Sequence, residues 1–365
     1  MPGSDHQPVR HGRTAARLRS PAVAVTGAGC PLGAAVLRHL SRAGWIRTVV
    51  GVDTTVAAPA TGEVAWHGLD PADPRLAQAL CGVAAVVHCA TDLRPDANRA
   101  AQRQRNLRRA QTVLAAAFAA GVRHVVLVSS AMVYGARPDN PVPLPDDAPL
   151  RAVPEASVLG DLLEIERAAA ANGAAHPTMA VTMLRPAIVL GAGASSALAA
   201  LFEAPRLLHL RGTRPRWQFC HVDDLASAAE VVVLDRITGP VNVGCDGFLE
   251  HAEVEQVRGR RSLDLPERVA VGTAERLHRL GITSAPPTEL AYLAHPWVVD
   301  SSRLRAAGWQ PRYTNAEALR AHLSARPARA ENAVHGATAA AGATVALVGT
   351  AALVRRARRN RRASS

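Results

Sequence analysis

The 365-residue sequence contains no lysine; every basic residue in its Lys-plus-Arg total of 42 is Arg. Any mechanism that needs a lysine amine is excluded at once. Tyrosine is nearly as scarce, with only Tyr134, Tyr292 and Tyr313. The five cysteines, Cys30, Cys81, Cys89, Cys220 and Cys245, form no CxxC and no zinc spacing. That excludes a disulfide scaffold, predicts no metal site, and fits a reducing compartment. Residues 1–20 lack the apolar stretch of a secretion signal and read as a disordered basic arm. Their four Arg face one acid, and the six Arg after residue 330 also face one. Most of the formal charge of +12 therefore sits in the tails, so no specific nucleic-acid partner is expected of the fold.

What is present is a core. Hydrophobic residues make up 48% and charged residues 20%, which rules out wholesale disorder and suggests one large or two closely packed domains. Short apolar runs at 22–26, 48–52, 84–88, 124–128 and 180–184 alternate with helical stretches at 32–43, 75–81, 98–120 and 159–171. Near-continuous apolar strands alternating with helices predict an α/β fold, a Rossmann-type doubly wound parallel sheet. This domain is expected over 21–190. After it the alternation breaks up, with helical segments at 222–234, 251–258 and 274–280. A smaller mixed α/β lobe is expected over 191–325, followed by an Ala/Gly-rich segment and Arg-rich tail over 326–365.

The first strand runs into Thr26-Gly27-Ala28-Gly29-Cys30-Pro31-Leu32-Gly33. A strand, a glycine turn and a helix form an anion site, because helix N–H groups and the helix dipole face a pyrophosphate. Gly27 permits the turn, Gly29 permits approach of the phosphate, and Gly33 lets the helix lie near the sheet. Asp53 follows at the end of the second strand, where a carboxylate accepts the ribose 2′-hydroxyl and repels a 2′-phosphate. NAD is therefore expected over NADP.

Together with motifs further along, this turn resembles the NAD-dependent epimerase/dehydratase family, the extended short-chain dehydrogenase/reductases. The resemblance spans roughly 22–325. Thr26–Gly33 is similar to the family's TGxxGxxG, with a departure: the middle glycine falls at Cys30, whose Cβ is expected beside the pyrophosphate. The resemblance further implies an adenine contact at Asp70 in Gly68-Leu69-Asp70. It implies cofactor contacts at Ala90 in Val87-His88-Cys89-Ala90 and at Pro186 in Leu184-Arg185-Pro186, and a helix brace at Asn106. Ser129-Ser130-Ala131-Met132-Val133-Tyr134-Gly135 resembles the fifth-strand motif, which makes Ser130 the counterpart of the catalytic serine. Phe219–Leu225 resembles the FVHVDDL segment of the substrate lobe.

The family's reaction uses a Tyr and, four residues later, a Lys that lowers the tyrosine pKa. Those two places fall at Val158 and Leu162, and a chain without lysine cannot shift the pair elsewhere. Substitutes are Asp161, Glu164, His88 and His221; none has the spacing of the lost pair. The favoured expectation is a nucleotide or nucleotide-sugar binding, sensing or partner protein without standard hydride transfer. The alternatives are an epimerase, dehydratase or reductase using substituted residues, and a scaffold with a vestigial cleft. Arg214 and Arg216 are candidates to grip a diphosphate, with a solvated basic loop as the plain alternative. Tyr134, Trp217, Trp297 and Trp309 read as packing residues, and Tyr292 and Tyr313 fall in the C-terminal lobe.

Residues 336–354 carry no charge and precede Arg355, Arg356, Arg358, Arg359, Arg361 and Arg362. Nineteen residues just reach the length of a membrane span, but Ala, Gly and Thr dominate them. Six Arg downstream would also hold that end in the cytoplasm and put the domain outside. The expectation is a cytoplasmic protein whose segment 336–362 lies on an anionic membrane surface; a span and a disordered tail remain alternatives. A homodimer is compatible with the sequence but not specified by it.

Overall fold

The computed structural model describes residues 21–56, 64–94, 98–194, 196–280, 283 and 285–325. The expected arm 1–20 and the segment 326–365, with its membrane reading, lie outside the described residues.

Seven parallel strands make the main sheet. They are β1 (Ala22–Thr26), β2 (Thr48–Val52), β3 (Val64–His67), β4 (Val83–His88), β5 (His124–Val128), β6 (Ala180–Pro186) and, after the shorter β7 (Ile188–Leu190), β8 (Leu208–Arg211), β9 (Arg216–Trp217) and β10 (Phe219–His221), β11 (Gly239–Val243). Their order is β11-β6-β5-β4-β1-β2-β3. The chain first builds outward from β1 to β3, then crosses back to lay β4 on the other side of β1. That reversal is the topological switch point where such sheets bind ligands. Register brings Thr26 opposite both Val52 and His88, so the carboxyl ends of β1, β2 and β4 open side by side.

Helices cover both faces, as buried strands without polar alternation require. On one face lie α1 (Pro31–Leu40) and α6 (Val222–Asp235), packed on each other. On the other lie α2 (Leu76–Ala79), α3 (Arg99–Ala119) and α4 (Val158–Ala175). Two buried clusters follow: Val23, Val25 and Val87 point to the first face, and Ala24, Val86 and Val125 to the second. Helix α4 runs longer than expected because Ser157 caps its start and accepts the Gly160 N–H at 3.3 Å. At the other end no proline interrupts it before Pro177.

Strand β3 was not expected. It is four residues long and half-exposed at the sheet edge, too short for its alternation to register in sequence. The chain after residue 190 also does more than form a lobe, since it returns α6 and β11 to the main sheet. Between β6 and β11 it inserts α5 (Ala197–Glu203) and β8–β10. Beyond β11 come β12 (Leu249–Glu250), α7 (His251–Arg258), β13 (Leu263–Pro266), α8 (Glu267–Arg279) and a 3₁₀ turn at Pro287–Leu293. Strand pairs β8–β13, β9–β12 and β7–β10 knit these pieces together. No helix among the described residues is long and apolar enough to cross a membrane.

Candidate functional site

The glycine turn sits at the switch point. Gly27 has φ +78°, and a Cβ there would lie 2.7 Å from the Ala90 backbone. Gly29 is pressed from the other side: a Cβ would lie 2.3 Å from the Thr55 carbonyl. The turn is thus held between the ends of β4 and β2. Asp53 fixes it, accepting the Gly29 N–H at 3.1 Å and the Thr55 N–H at 3.0 Å. Oδ1 also accepts the Thr54 hydroxyl at 3.4 Å, so it is Oδ2 that keeps a free lone pair, and the residue is only partly buried. Thr26 turns inward, its hydroxyl 2.8 Å from His88 Nδ1.

Cys30 opens the first helix. It is the N-cap of α1 at φ −76°, an ordinary conformation, and its sulfur accepts the Gly33 N–H at 3.3 Å. The thiol in turn reaches the Cys89 carbonyl at 3.4 Å. The side chain thus folds into the cap. Burial raises its pKa, so the cap stays neutral. Leu32 stands in the first turn of α1, which carries no acidic residue.

Asp70 lies at the same edge but is not free. Arg109 of α3 pairs with it at 2.6 Å and, with Ala72 N–H, holds its carboxyl below the usual range. Arg109 also reaches the Ala90 carbonyl at 3.5 Å. Asn106 is fully buried; it accepts from Asp92 N–H at 3.0 Å and donates to Asp161 at 3.0 Å.

Ser130, Val158, Leu162 and Pro186 meet on the wall of one cavity of about 180 Å³. Ser130 is second in the fifth-strand motif, just past β5, and its oxygen accepts the Met132 N–H at 3.2 Å. Val158 opens α4 and Leu162 follows one turn later. Their neighbours on the wall, Leu159, Leu198, Leu201 and Leu293, are apolar as well.

The other candidate bases point elsewhere. Asp161 has no exposed surface and binds Arg99, Arg103 and Asn106. Glu164 pairs with Arg103. His88 is buried and its pKa is pushed down to about 3, so it is neutral at physiological pH. His221 caps α6, and its ring stacks on Tyr313 with centroids 3.7 Å apart. The remaining tyrosines are also engaged. Tyr134 donates to the Asn242 side chain at 2.8 Å, and Tyr292 to the Met132 carbonyl at 2.6 Å. Arg214 is exposed, while Arg216 lies over the Phe248 ring at 4.9 Å. Neither lines the cavity or the larger one beside it. Among the described residues no cluster suits a metal ion.

Two features escaped the sequence reading. Glu289, on the 3₁₀ turn, lines both cavities, and burial pushes its pKa up to about 7. Beneath the cavity Arg185 and Glu166 form a buried ion pair at 2.6 Å, joined by the Ser129 and Tyr134 hydroxyls. No local motif announces either one; both arise from residues brought together across the fold.

A strand–turn–helix with an uncharged cap at the switch point of a parallel sheet defines a dinucleotide-binding Rossmann protein of the extended type. The family model for the NAD-dependent epimerase/dehydratase family matches residues 23–244, and the chain belongs to that family. An uncharacterized protein of Mycobacterium tuberculosis is 30% identical over 308 residues, covering 81% of this chain and 82% of its own. The fold is similar to that of UDP-glucose 4-epimerase from Thermus thermophilus, solved with NAD. There the TM-score is 0.62 at 20% identity, over 83% of this chain and 98% of that one. It is also similar to the Thermotoga maritima UDP-glucose 4-epimerase solved with UDP-glucose, with TM-score 0.62 at 15% identity over 83% and 98%.

Proposed function

We propose that the chain binds NAD at the switch point and lacks the family's standard hydride-transfer chemistry, acting as a binding or sensing protein. The observation that carries the second half is the cavity wall. Helix α4 turns Val158 and Leu162 toward Ser130 and Pro186, and an apolar surface fills the place of a proton-transferring pair. NAD would supply hydride acceptance next to that wall. The residues that would hold it are Gly27, Gly29 and the N–H groups opening α1 for the pyrophosphate, and Asp53 for the ribose. Ala90 would line the cofactor groove, and Pro186 would stand at the nicotinamide end. These residues fit the group, because the turn is braced, the cap is neutral and Asp53 Oδ2 retains acceptor capacity.

The nucleotide-sugar part of the reading is supported by the likeness to epimerases, one of them holding UDP-glucose. Its proposed anchors, Arg214 and Arg216, stand outside both cavities. A second reading, turnover by substituted residues, is favoured by one observation: Glu289 is a cavity carboxyl with a pKa near neutrality, the range suited to general acid–base work. One experiment separates them. Calorimetric titration with NAD is followed by assays for reduced cofactor and epimerised product on a nucleotide-sugar panel. The binding reading expects NAD heat and negligible turnover. Robust turnover lost in Glu289→Gln would replace it with the second reading.

A further inference from the structure

We infer that the cavity bounded by Val158, Leu162 and Glu289 is a binding site for a small apolar amine, one ring in size, whose ammonium group pairs with the Glu289 carboxylate. This goes beyond the NAD reading and does not depend on it.

Size comes first. A cavity of about 150 Å³ with apolar walls holds benzene, and this one measures about 180 Å³. One six-membered ring with a short arm fits. The wall chemistry comes next. Leucine side chains from α4, α5 and the 3₁₀ turn join Val158, Ile188 and Trp297 in a mostly apolar lining; of its polar residues, Arg99 donates to Gln102 and Ser129 to Glu166. Burying unpaired hydroxyls there is costly, whereas a hydrocarbon ring is favoured.

Charge completes the argument. Glu289 is a carboxyl on this wall for which no ion pair forms among the described residues. The cation that couples to it, Arg99, is engaged by Asp161, the Ser157 carbonyl and Gln102. Glu155 adds a second negative charge nearby and is itself bound by Thr288. Tyr292 stays protonated, since burial drives its pKa up. Arg137 faces the neighbouring cavity and donates to the Arg151 carbonyl. The Ser157 hydroxyl beside Glu289 favours its charged form but brings no charge. A desolvated carboxyl without its own cation accommodates an incoming cation and repels an anion.

The test uses full-length protein and three probes of one shape: benzylamine, ethylbenzene and phenylacetate. Benzylamine is expected to bind roughly tenfold or more tighter than ethylbenzene at pH 8, the factor of one charge-assisted hydrogen bond. Its affinity should rise about tenfold from pH 6 to pH 8, as the Glu289 carboxylate fraction grows from about one tenth to about nine tenths. Glu289→Gln should remove the preference for the amine and leave ethylbenzene binding intact, which also reports that the cavity survives. Should that variant fail to fold, the pH series on the unaltered protein decides. Phenylacetate binding as well as benzylamine, pH-independent amine binding, or no binding of either benzylamine or ethylbenzene would each overturn the proposal.

Discussion

Replacement of Asp53 tests the cofactor reading at one atom pair. Its Oδ2 accepts the Gly29 N–H at 3.1 Å and its Oδ1 the Thr55 N–H at 3.0 Å. Oδ1 also takes the Thr54 hydroxyl at 3.4 Å, so the second lone pair on Oδ2 is what a ribose hydroxyl would use. Asp53→Ala removes a hydrogen bond to a charged acceptor, worth about 1.5–3 kcal/mol, so NAD should bind roughly 10- to 150-fold more weakly. The two backbone N–H groups left behind are near solvent and can rehydrate, so the melting temperature should change little. Asp53→Asn keeps one acceptor for Gly29 but loses the charge, and should narrow the gap between NAD and NADP. Isothermal titration with both cofactors, run on the unaltered protein and both variants, gives the answer. NAD affinity unchanged in Asp53→Ala, or NADP preferred by the unaltered protein, would refute the assignment.

Three further outcomes are expected. Glu166→Gln leaves the Arg185 guanidinium buried without its counter-charge, and chemical denaturation should show a loss of about 3–5 kcal/mol; a loss under 1 kcal/mol would mean the pair is not the anchor it looks to be. His88 and His124 are held neutral by burial, with pKa values pushed down to about 3 and about 4. At these two sites the unfolded chain takes up protons from about pH 6.5 downward and the folded chain does not, so their contribution to stability is full above about pH 7 and falls toward pH 4. Equal denaturant midpoints at pH 7 and pH 5 would contradict this. Last, the six Arg of the tail should each add on the order of 1 kcal/mol at an anionic surface, so vesicle sedimentation of full-length protein should exceed that of a 1–335 truncation. Equal sedimentation would remove the membrane proposal.

The sheet was legible in sequence because its signals are local. Five apolar runs, the Gly27–Gly33 turn and Asp53 each carry their meaning within a few residues. Val158 and Leu162, four residues apart, share one face of α4 and line one cavity, as helical spacing implies. Glu289 was not legible in this way, since the cavity it faces is made by α4, α5 and a turn more than 120 residues after α4 begins. The Arg109–Asp70 pair and the Asp161 network were hidden for the same reason. Asp161 stood among the substitute bases with the wrong spacing, and three partners across the α3–α4 seam hold it.

The late return of β11 has a consequence for how the chain is made. β11 pairs along β6 from Gly239↔Thr182 to Val243↔Pro186, yet more than fifty residues separate the two strands. During synthesis the edge of β6 stays unpaired until Val243 has left the ribosome, and the inserted segment must wait alongside it. A fragment cut at residue 190 would carry that open edge permanently, together with a sheet face stripped of α6. Exposed hydrogen-bonding edges of this kind join other chains. A soluble cofactor domain therefore cannot be excised at the point where the strand–helix alternation ends; the shortest self-covering piece must run through the strand that closes the sheet.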